Sequence, residues 1–184
     1  MSLPKKTTFL ALIALSSLLL AACGGGSSNS SSSTTSDNGG SKQELVENPD
    51  VQAQATGGFD NPITTKDGNS FTLSSPTTFT PGKFAAGQIP GQTFNRFTVT
   101  VKNAGAAPLE LYAIIVKGST SGGECVDIFD GDNKIDGAPQ DPLAAGATTS
   151  FAWALSCPGK SGADLSVVLL NGETALIEAK GKLS

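Results

Sequence analysis

The chain has 184 residues, a length typical of one domain with short appendages. It contains no histidine, and 12 basic against 16 acidic residues give a formal net charge of -4. The lack of histidine excludes Ser-His-Asp and Cys-His catalysis and metal sites with histidine ligands. The acidic balance disfavours nucleic acid, whose phosphates bind Lys and Arg, and electrostatic attachment to anionic lipid.

The first 22 residues have the organisation of a bacterial signal peptide. Lys5 and Lys6 form a short positive region, and the apolar run 9–20 (FLALIALSSLLL) follows. A membrane-spanning helix needs about 20 apolar residues, so this run is too short to remain as an anchor. We therefore expect residues 1–22 to be a cleaved signal peptide, in preference to an uncleaved transmembrane helix.

The apolar run ends in four residues that resemble a bacterial lipobox, Leu20, Ala21, Ala22 and Cys23. In a lipobox the cysteine receives diacylglycerol and the chain is cut just before it. A thiolate is the nucleophile that this chemistry needs, and small side chains before it leave the backbone open to a peptidase. We predict that Cys23 is the lipidated N-terminus of the mature chain, attached to the extracytoplasmic face of the cell membrane.

A polar, low-complexity segment follows the lipobox. Residues 24–41 (GGGSSNSSSSTTSDNGGS) contain no apolar side chain, which predicts a flexible coil, either bare or O-glycosylated. The polar composition continues more weakly to Gly58. Residues 23–58 are therefore predicted to tether a folded domain that occupies residues 59–184.

From Phe59 onward, short runs of alternating apolar and polar residues are separated by turn signals. Tight hairpin turns are predicted at Asp67-Gly68 and Asn171-Gly172. Eight strands follow from the alternation, and no segment favours a helix: 63–66, 70–73, 97–102, 109–116, 124–129, 150–155, 164–170 and 173–179. This pattern is typical of an all-β sandwich or barrel. Because a single sheet leaves one face bare, we expect two sheets packed face to face.

Three cysteines are divided between two roles. With Cys23 assigned to lipid, Cys125 and Cys157 remain as an even pair in a compartment that permits disulfides. A structural disulfide between them would close a loop and stabilise the folded state by about 3–4 kcal/mol. A redox site is disfavoured because the two cysteines lie far apart in the sequence.

Trp153 has two interpretations. Tryptophan is common at binding interfaces, which would make it an exposed contact. However, Trp153 alternates with Phe151 and Leu155 just before Cys157, and sandwiches often pack a tryptophan beside an inter-sheet disulfide. A position in the core is therefore predicted.

One acidic stretch could bind an ion. Residues 124–141 contain a single lysine and six acidic residues: Glu124, Asp127, Asp130, Asp132, Asp136 and Asp141. Calcium takes several oxygens from one turn, and Asp130, Asp132 and Asp136 are its candidate ligands. Lys134 and Ile135 occupy positions where an EF-hand has an oxygen ligand and a glycine. We therefore prefer a Gly/Asp/Asn-rich turn and predict no metal or other cofactor, with the calcium site as the alternative.

The remaining carboxylates give little support to catalysis. A pair of them could hydrolyse a glycosidic bond, and the candidates are Glu110, Glu124, Asp127 and Glu173. Nothing in the sequence pairs any two of these, whereas isolated surface charges keep a β-domain in solution. The chain is therefore predicted not to be an enzyme.

Residues 97–103 (FTVTVKN), followed by Ala104-Gly105 and Pro108-Leu109, resemble the signature VTVKN-x-G-…-PL of an immunoglobulin-like domain family. This family occurs on lipoproteins of Gram-positive bacteria, especially actinobacteria, and is similar to a small secreted mycobacterial immunoprotective antigen. Residues 143–151 (LAAGATTSF) resemble the family's entry into its next strand. The resemblance spans residues 68–181 and implies an immunoglobulin-like antiparallel β-sandwich of about seven or eight strands. The resemblance implies no catalytic residues, and the function of most members of the family is uncharacterised.

Two classes of function remain. The first is a non-catalytic surface lipoprotein that displays an interaction, adhesion or envelope-organising domain to an unidentified protein or envelope partner. The second is a lipoprotein that binds a small ligand or an ion. A domain of this size can hardly enclose a large ligand after filling its own core, which favours the first class.

Overall fold

A computed structural model describes residues 52–184. This part of the chain forms two β-sheets packed face to face, and a 3-10 turn at Gly131–Asn133 is its only helical segment. Its eleven strands are β1 Ala55–Gly58, β2 Ile63–Thr64, β3 Ser70–Leu73, β4 Thr77–Thr78, β5 Thr93–Lys102, β6 Ile114–Thr120, β7 Gly123–Glu124, β8 Val126–Asp127, β9 Thr148–Cys157, β10 Asp164–Asn171 and β11 Thr174–Lys182.

The two sheets have a simple strand order. The first sheet runs β1-β11-β10-β6-β7, and the second runs β2-β3-β5-β9-β8 with β4 paired to β5. All neighbours are antiparallel except β1 and β11, which are parallel. The predicted immunoglobulin-like antiparallel sandwich is confirmed, and seven of its strands span four or more residues.

The core lies between the sheets and follows the predicted alternation. Phe97, Val99 and Val101 of β5 are buried, and they face inward with the apolar side chains of β10 and β11 such as Leu169 and Ile177. Burial of apolar surface at about 25 cal/mol per Å² makes this layer the main stabilising feature. Within residues 52–184, no helix is long and apolar enough to cross a membrane.

Both predicted hairpins are confirmed. The turn at Asp67-Gly68 joins β2 to β3, and the turn at Asn171-Gly172 joins β10 to β11. Gly68 and Gly172 have φ values of 82° and 59°, which glycine adopts without the steric cost of a Cβ. β3 has the predicted bounds, 70–73, whereas β2 is two residues shorter than the predicted strand 63–66.

The predicted strand 109–116 is wrong in its position. Leu109 makes only a single bridge to Leu143, the chain then turns with the Ile114 amide donating to the Leu111 carbonyl at 2.9 Å, and β6 runs from Ile114 to Thr120. Of the apolar residues before β6, Leu111 is thus buried although it lies in a loop. The second half of β6 was not predicted because its buried positions, Gly118 and Thr120, are not hydrophobic and give no apolar alternation.

The predicted strand 124–129 is wrong as a single element. It divides into β7, in the first sheet, and β8, in the second, with Cys125 between them. The Cys125 amide donates to the Gly118 carbonyl of β6 at 2.8 Å, so the chain leaves one sheet there and enters the other.

The folded domain also begins before the predicted boundary at Phe59. Residues that were assigned to the tether form β1, which pairs in parallel with β11. Its glycines imitate linker composition, yet a Cβ on Gly57 would lie 2.7 Å from Cγ1 of Ile63. Glycine here permits a close approach of two chain segments, which composition alone could not distinguish from flexibility.

Candidate functional site

The predicted lipobox, Leu20, Ala21, Ala22 and Cys23, lies outside the described residues. The predicted disulfide is confirmed, because Cys125 and Cys157 are bonded with a Cα–Cα distance of 4.3 Å. Cys157 ends β9 in the second sheet, and Cys125 is hydrogen-bonded to β6 in the first, so the bond ties the two sheets together next to their short edge strands β7 and β8.

The connection from β8 to β9 holds a closed acidic turn, which comprises residues 130–136. Asp130 and Ile135 are joined by two backbone hydrogen bonds of 2.9 and 3.0 Å. The buried Asp130 carboxylate accepts bonds from the Gly82 amide and from Nδ2 of Asn133, both at 2.7 Å. These donors, led by the Gly82 amide, hold the pKa of Asp130 below its usual value.

The acidic residues do not share one environment. Asp130 is buried within the turn, whereas the side chains of Asp132 and Asp136 are exposed. Among the residues that the structure describes, no group of three or more carboxylates or cysteines is placed to hold a metal ion.

The four carboxylates that were weighed for catalysis lie on separate elements. Glu110 is in the loop before β6, Glu124 is in β7, Asp127 is in β8, and Glu173 is in the turn between β10 and β11. Asp127 is half-buried, whereas the other three are exposed.

Trp153 is buried in β9, as predicted, but its polar atom has a partner that the sequence did not reveal. Its indole Nε1–H donates a hydrogen bond to Oδ1 of Asp127 at 2.9 Å. Phe129 and Phe151 each pack edge-on against the indole, with ring centroids 6.3 Å away. The tryptophan therefore links the core to the carboxyl of Asp127.

Beside this pair lies a groove of about 250 Å³, here called the aromatic groove. Both sheets contribute to its lining, because Ile115 comes from β6 and Trp153 from β9. Its walls carry three of the large hydrophobic side chains that are exposed to solvent, Tyr112 by 60%, Phe129 by 47% and Ile115 by 43%. The lining residues are Tyr112, Ile114, Ile115, Asp127, Phe129, Asp136, Gly137, Ala138, Gln140 and Trp153.

Both charged groups of the aromatic groove are acidic. Burial raises the pKa of Asp127 above its usual value, and the Trp153 hydrogen bond opposes this shift only in part. Asp136 contributes the other carboxyl, and none of the described lining residues is lysine or arginine. The groove thus combines an aromatic surface with a partly desolvated carboxyl.

A second groove of about 390 Å³ also has Asp136 and Gly137 in its lining. Arg96 of β5 and Lys134 of the acidic turn line it. The two grooves share the Asp136-Gly137 segment but differ in charge, because among the described lining residues only those of the second groove include basic side chains.

The aromatic groove was missed by sequence reasoning, which treated Trp153 and the carboxylates separately. One signal was available: the chain has a single tyrosine and a single tryptophan, and Tyr112 and Trp153 both line this groove. Their distance in the sequence hid the relationship.

No protein-family model matches the chain, and no curated protein matches it either. Among solved structures, the chain is similar to MPT63, a secreted protein from Mycobacterium tuberculosis, with 17% identity and a TM-score of 0.48 over 68% of this chain and 96% of that one. It is also similar to part of a β-glucosidase involved in saponin metabolism from intestinal bacteria, with 15% identity and a TM-score of 0.33. That match covers 66% of this chain and 18% of the glucosidase.

Proposed function

We propose that the chain is a lipid-anchored protein of the extracytoplasmic membrane face, whose β-sandwich binds a partner without catalysing a reaction. The observation that carries the anchoring is the lipobox-like sequence directly after a short apolar run, with Cys23 at its end. Diacylglycerol on that cysteine supplies two acyl chains, and stable anchoring requires two such signals.

The disulfide supports export. Cys125 and Cys157 are bonded, and such bonds persist in oxidising compartments outside the cytoplasm. The bond also fixes β8, which carries the half-buried Asp127, against the edge of β9. The disulfide therefore fits an exported domain and also fixes β8, which contributes Asp127 to the aromatic groove.

The contacts of Asp127 fit a binding role. Its hydrogen-bond partner is the Trp153 indole N–H, which can donate but cannot accept a hydrogen bond. This bond orients the Asp127 carboxyl, as a binding site requires of its few polar groups. An interaction or adhesion role, with the sandwich displayed at the envelope, fits this arrangement.

The second candidate function is the capture of a small ligand. The aromatic groove favours it, because small-molecule sites combine apolar and aromatic walls with a few oriented polar groups. At about 250 Å³ the groove is suited to a side chain or a small molecule and not to a large metabolite.

The anchoring is tested by metabolic labelling of the full-length protein with an alkyne-bearing fatty acid. We expect label on the wild type, a mature chain that begins at Cys23, and loss of label in Cys23→Ser. Ser27→Ala is the control, because it changes one side chain close to Cys23 but should leave the label in place. A mature chain that begins after Cys23, or label that persists in Cys23→Ser, would contradict the proposed anchor.

A further inference from the structure

The aromatic groove exposes surface that a folded domain ordinarily covers. Tyr112, Ile115 and Phe129 are each more than 40% exposed and border a single concavity. Isolated exposed apolar residues are normal, but a cluster of them around a groove marks a binding surface. Tyrosine and tryptophan are suited to such a place, because each joins an apolar ring to a polar atom.

The polar side of this surface is anionic, and its lining side chains include no basic group among the described residues. Within residues 52–184, the one hydrogen-bond donor to the Asp127 carboxyl is the Trp153 indole. Transfer of a carboxylate out of water is costly unless an opposite charge or several donors accompany it. A cation in the groove would supply an opposite charge that the described lining side chains do not.

The geometry points to a binding site for an organic cation, an ammonium or guanidinium group on an aliphatic chain. We propose that Asp127 and Asp136 compensate its charge, that Tyr112 and Phe129 supply cation–π contacts, and that Ile115 packs against its aliphatic part. This proposal deepens the partner binding proposed above by naming the chemistry of the ligand. It does not depend on the lipid anchor.

The neighbouring groove gives the proposal its selectivity. Arg96 and Lys134 line the second groove and not the aromatic groove, so an anion would be attracted to the second groove. Probes that share one aliphatic chain and differ only in the charge of their head group therefore test whether the aromatic groove selects a cation.

Trp153 reports directly on the site, because it is the chain's single tryptophan. Full-length protein in detergent is titrated with n-butylammonium, n-butanol and n-butyrate while Trp153 fluorescence is followed. We expect a saturable change with n-butylammonium, with a dissociation constant of about 1 mM or tighter, and no saturable change with the neutral or anionic probe. An equal response to all three, or no response to the cation, would overturn the proposal.

Variants separate charge from packing. Asp127→Asn keeps an oxygen that can accept the Trp153 hydrogen bond but removes the charge, so n-butylammonium affinity should fall at least tenfold. Tyr112→Ala should also weaken it, and this exposed position keeps the test valid if Asp127→Asn fails to fold. Phe84→Ala is the matched control, because Phe84 is 86% exposed and lies outside the groove. Unchanged affinity in both groove variants would contradict the site.

The source of the cation is distinguished by a second pair of probes. N-acetyl-lysine N-methylamide represents a lysine of a partner protein, and n-butylammonium represents a free amine. Tighter binding of the peptide-like probe assigns the site to a partner's side chain, and tighter binding of the free amine assigns it to small-molecule capture. Both results support the cation site, and failure of both probes to bind overturns it without affecting the lipid anchor.

Discussion

Asp127 and Asp130 are close in sequence but lie in opposite environments. Asp130 closes the acidic turn and accepts hydrogen bonds from Gly82 and Asn133, which lower its pKa. Asp127 borders the aromatic groove, has the Trp153 indole as its donor, and has a pKa that burial raises. A cluster of acidic residues in a sequence is therefore not one functional unit, because the donors around each carboxyl decide its role.

The acidic stretch therefore has a structural part, Asp130, and a part available to a ligand, Asp127. The Asp130 carboxylate is used by the protein itself, since it fixes the turn to the segment around Gly82. The Asp127 carboxyl retains capacity for a further partner.

The largest effect is expected from loss of the disulfide, which holds β8 and hence Asp127 in place. The double replacement Cys125→Ala with Cys157→Ala should lower the free energy of unfolding by about 2–5 kcal/mol, because the bond closes a long loop and Cys157 is fully buried. Denaturant unfolding of the two proteins measures this difference.

The control for this experiment is Val126→Ala, because Val126 adjoins Cys125 but is exposed. It should change the free energy of unfolding by no more than about 0.5 kcal/mol. Two free thiols in freshly isolated wild-type protein, or equal stability of the double variant, would contradict a structural role for the bond.

A smaller effect is expected from pH, with opposite signs for the two aspartates. The folded-state pKa of Asp127 is raised, so its contribution to stability is full below 3.8 and is lost as pH rises through the raised pKa. The folded-state pKa of Asp130 is lowered, so its contribution is present above 3.8 and is lost as pH falls through the lowered pKa.

Melting temperatures across the acidic range measure this contrast. Relative to wild type, Asp127→Asn should gain stability as pH rises, and Asp130→Asn should lose it. The other titratable groups that line the groove, Asp136 and Tyr112, are present in both variants and cancel in the comparison. Two difference curves of the same sign would show that the two carboxyls share one environment.

The smallest effect is expected at Asp132, which is exposed in the acidic turn. Asp132→Asn should leave the melting temperature nearly unchanged, and calcium should bind the wild type weakly or not at all. Calorimetry with calcium tests this expectation. Micromolar affinity, abolished by Asp130→Asn or Asp136→Asn, would instead favour the ion-binding alternative.

Local patterns in the sequence predicted much of the fold. The alternation in β5, the Asn171-Gly172 turn and the pairing of Cys125 with Cys157 all depend on neighbouring residues or on a count. Segments whose structure depends on distant contacts were not predicted. β1 is glycine-rich and is held by β11, and β7 and β8 are two-residue strands separated at Cys125.

The aromatic groove could not be predicted for the same reason. Tyr112 lies in the loop before β6, which was expected to be a strand, and Trp153 reaches Asp127 only because β8 and β9 pair. The buried position of Trp153 followed from alternation, whereas its hydrogen bond required the three-dimensional arrangement.

The most direct test of the central claim is titration of Trp153 fluorescence with n-butylammonium in three full-length proteins: wild type, Asp127→Asn and Asp130→Asn. Both variants replace one aspartate by its neutral isostere within the same acidic stretch. The division between groove and turn predicts at least a tenfold loss of affinity in Asp127→Asn and wild-type affinity in folded Asp130→Asn. Equal losses in the two variants, or wild-type affinity in both, would contradict it.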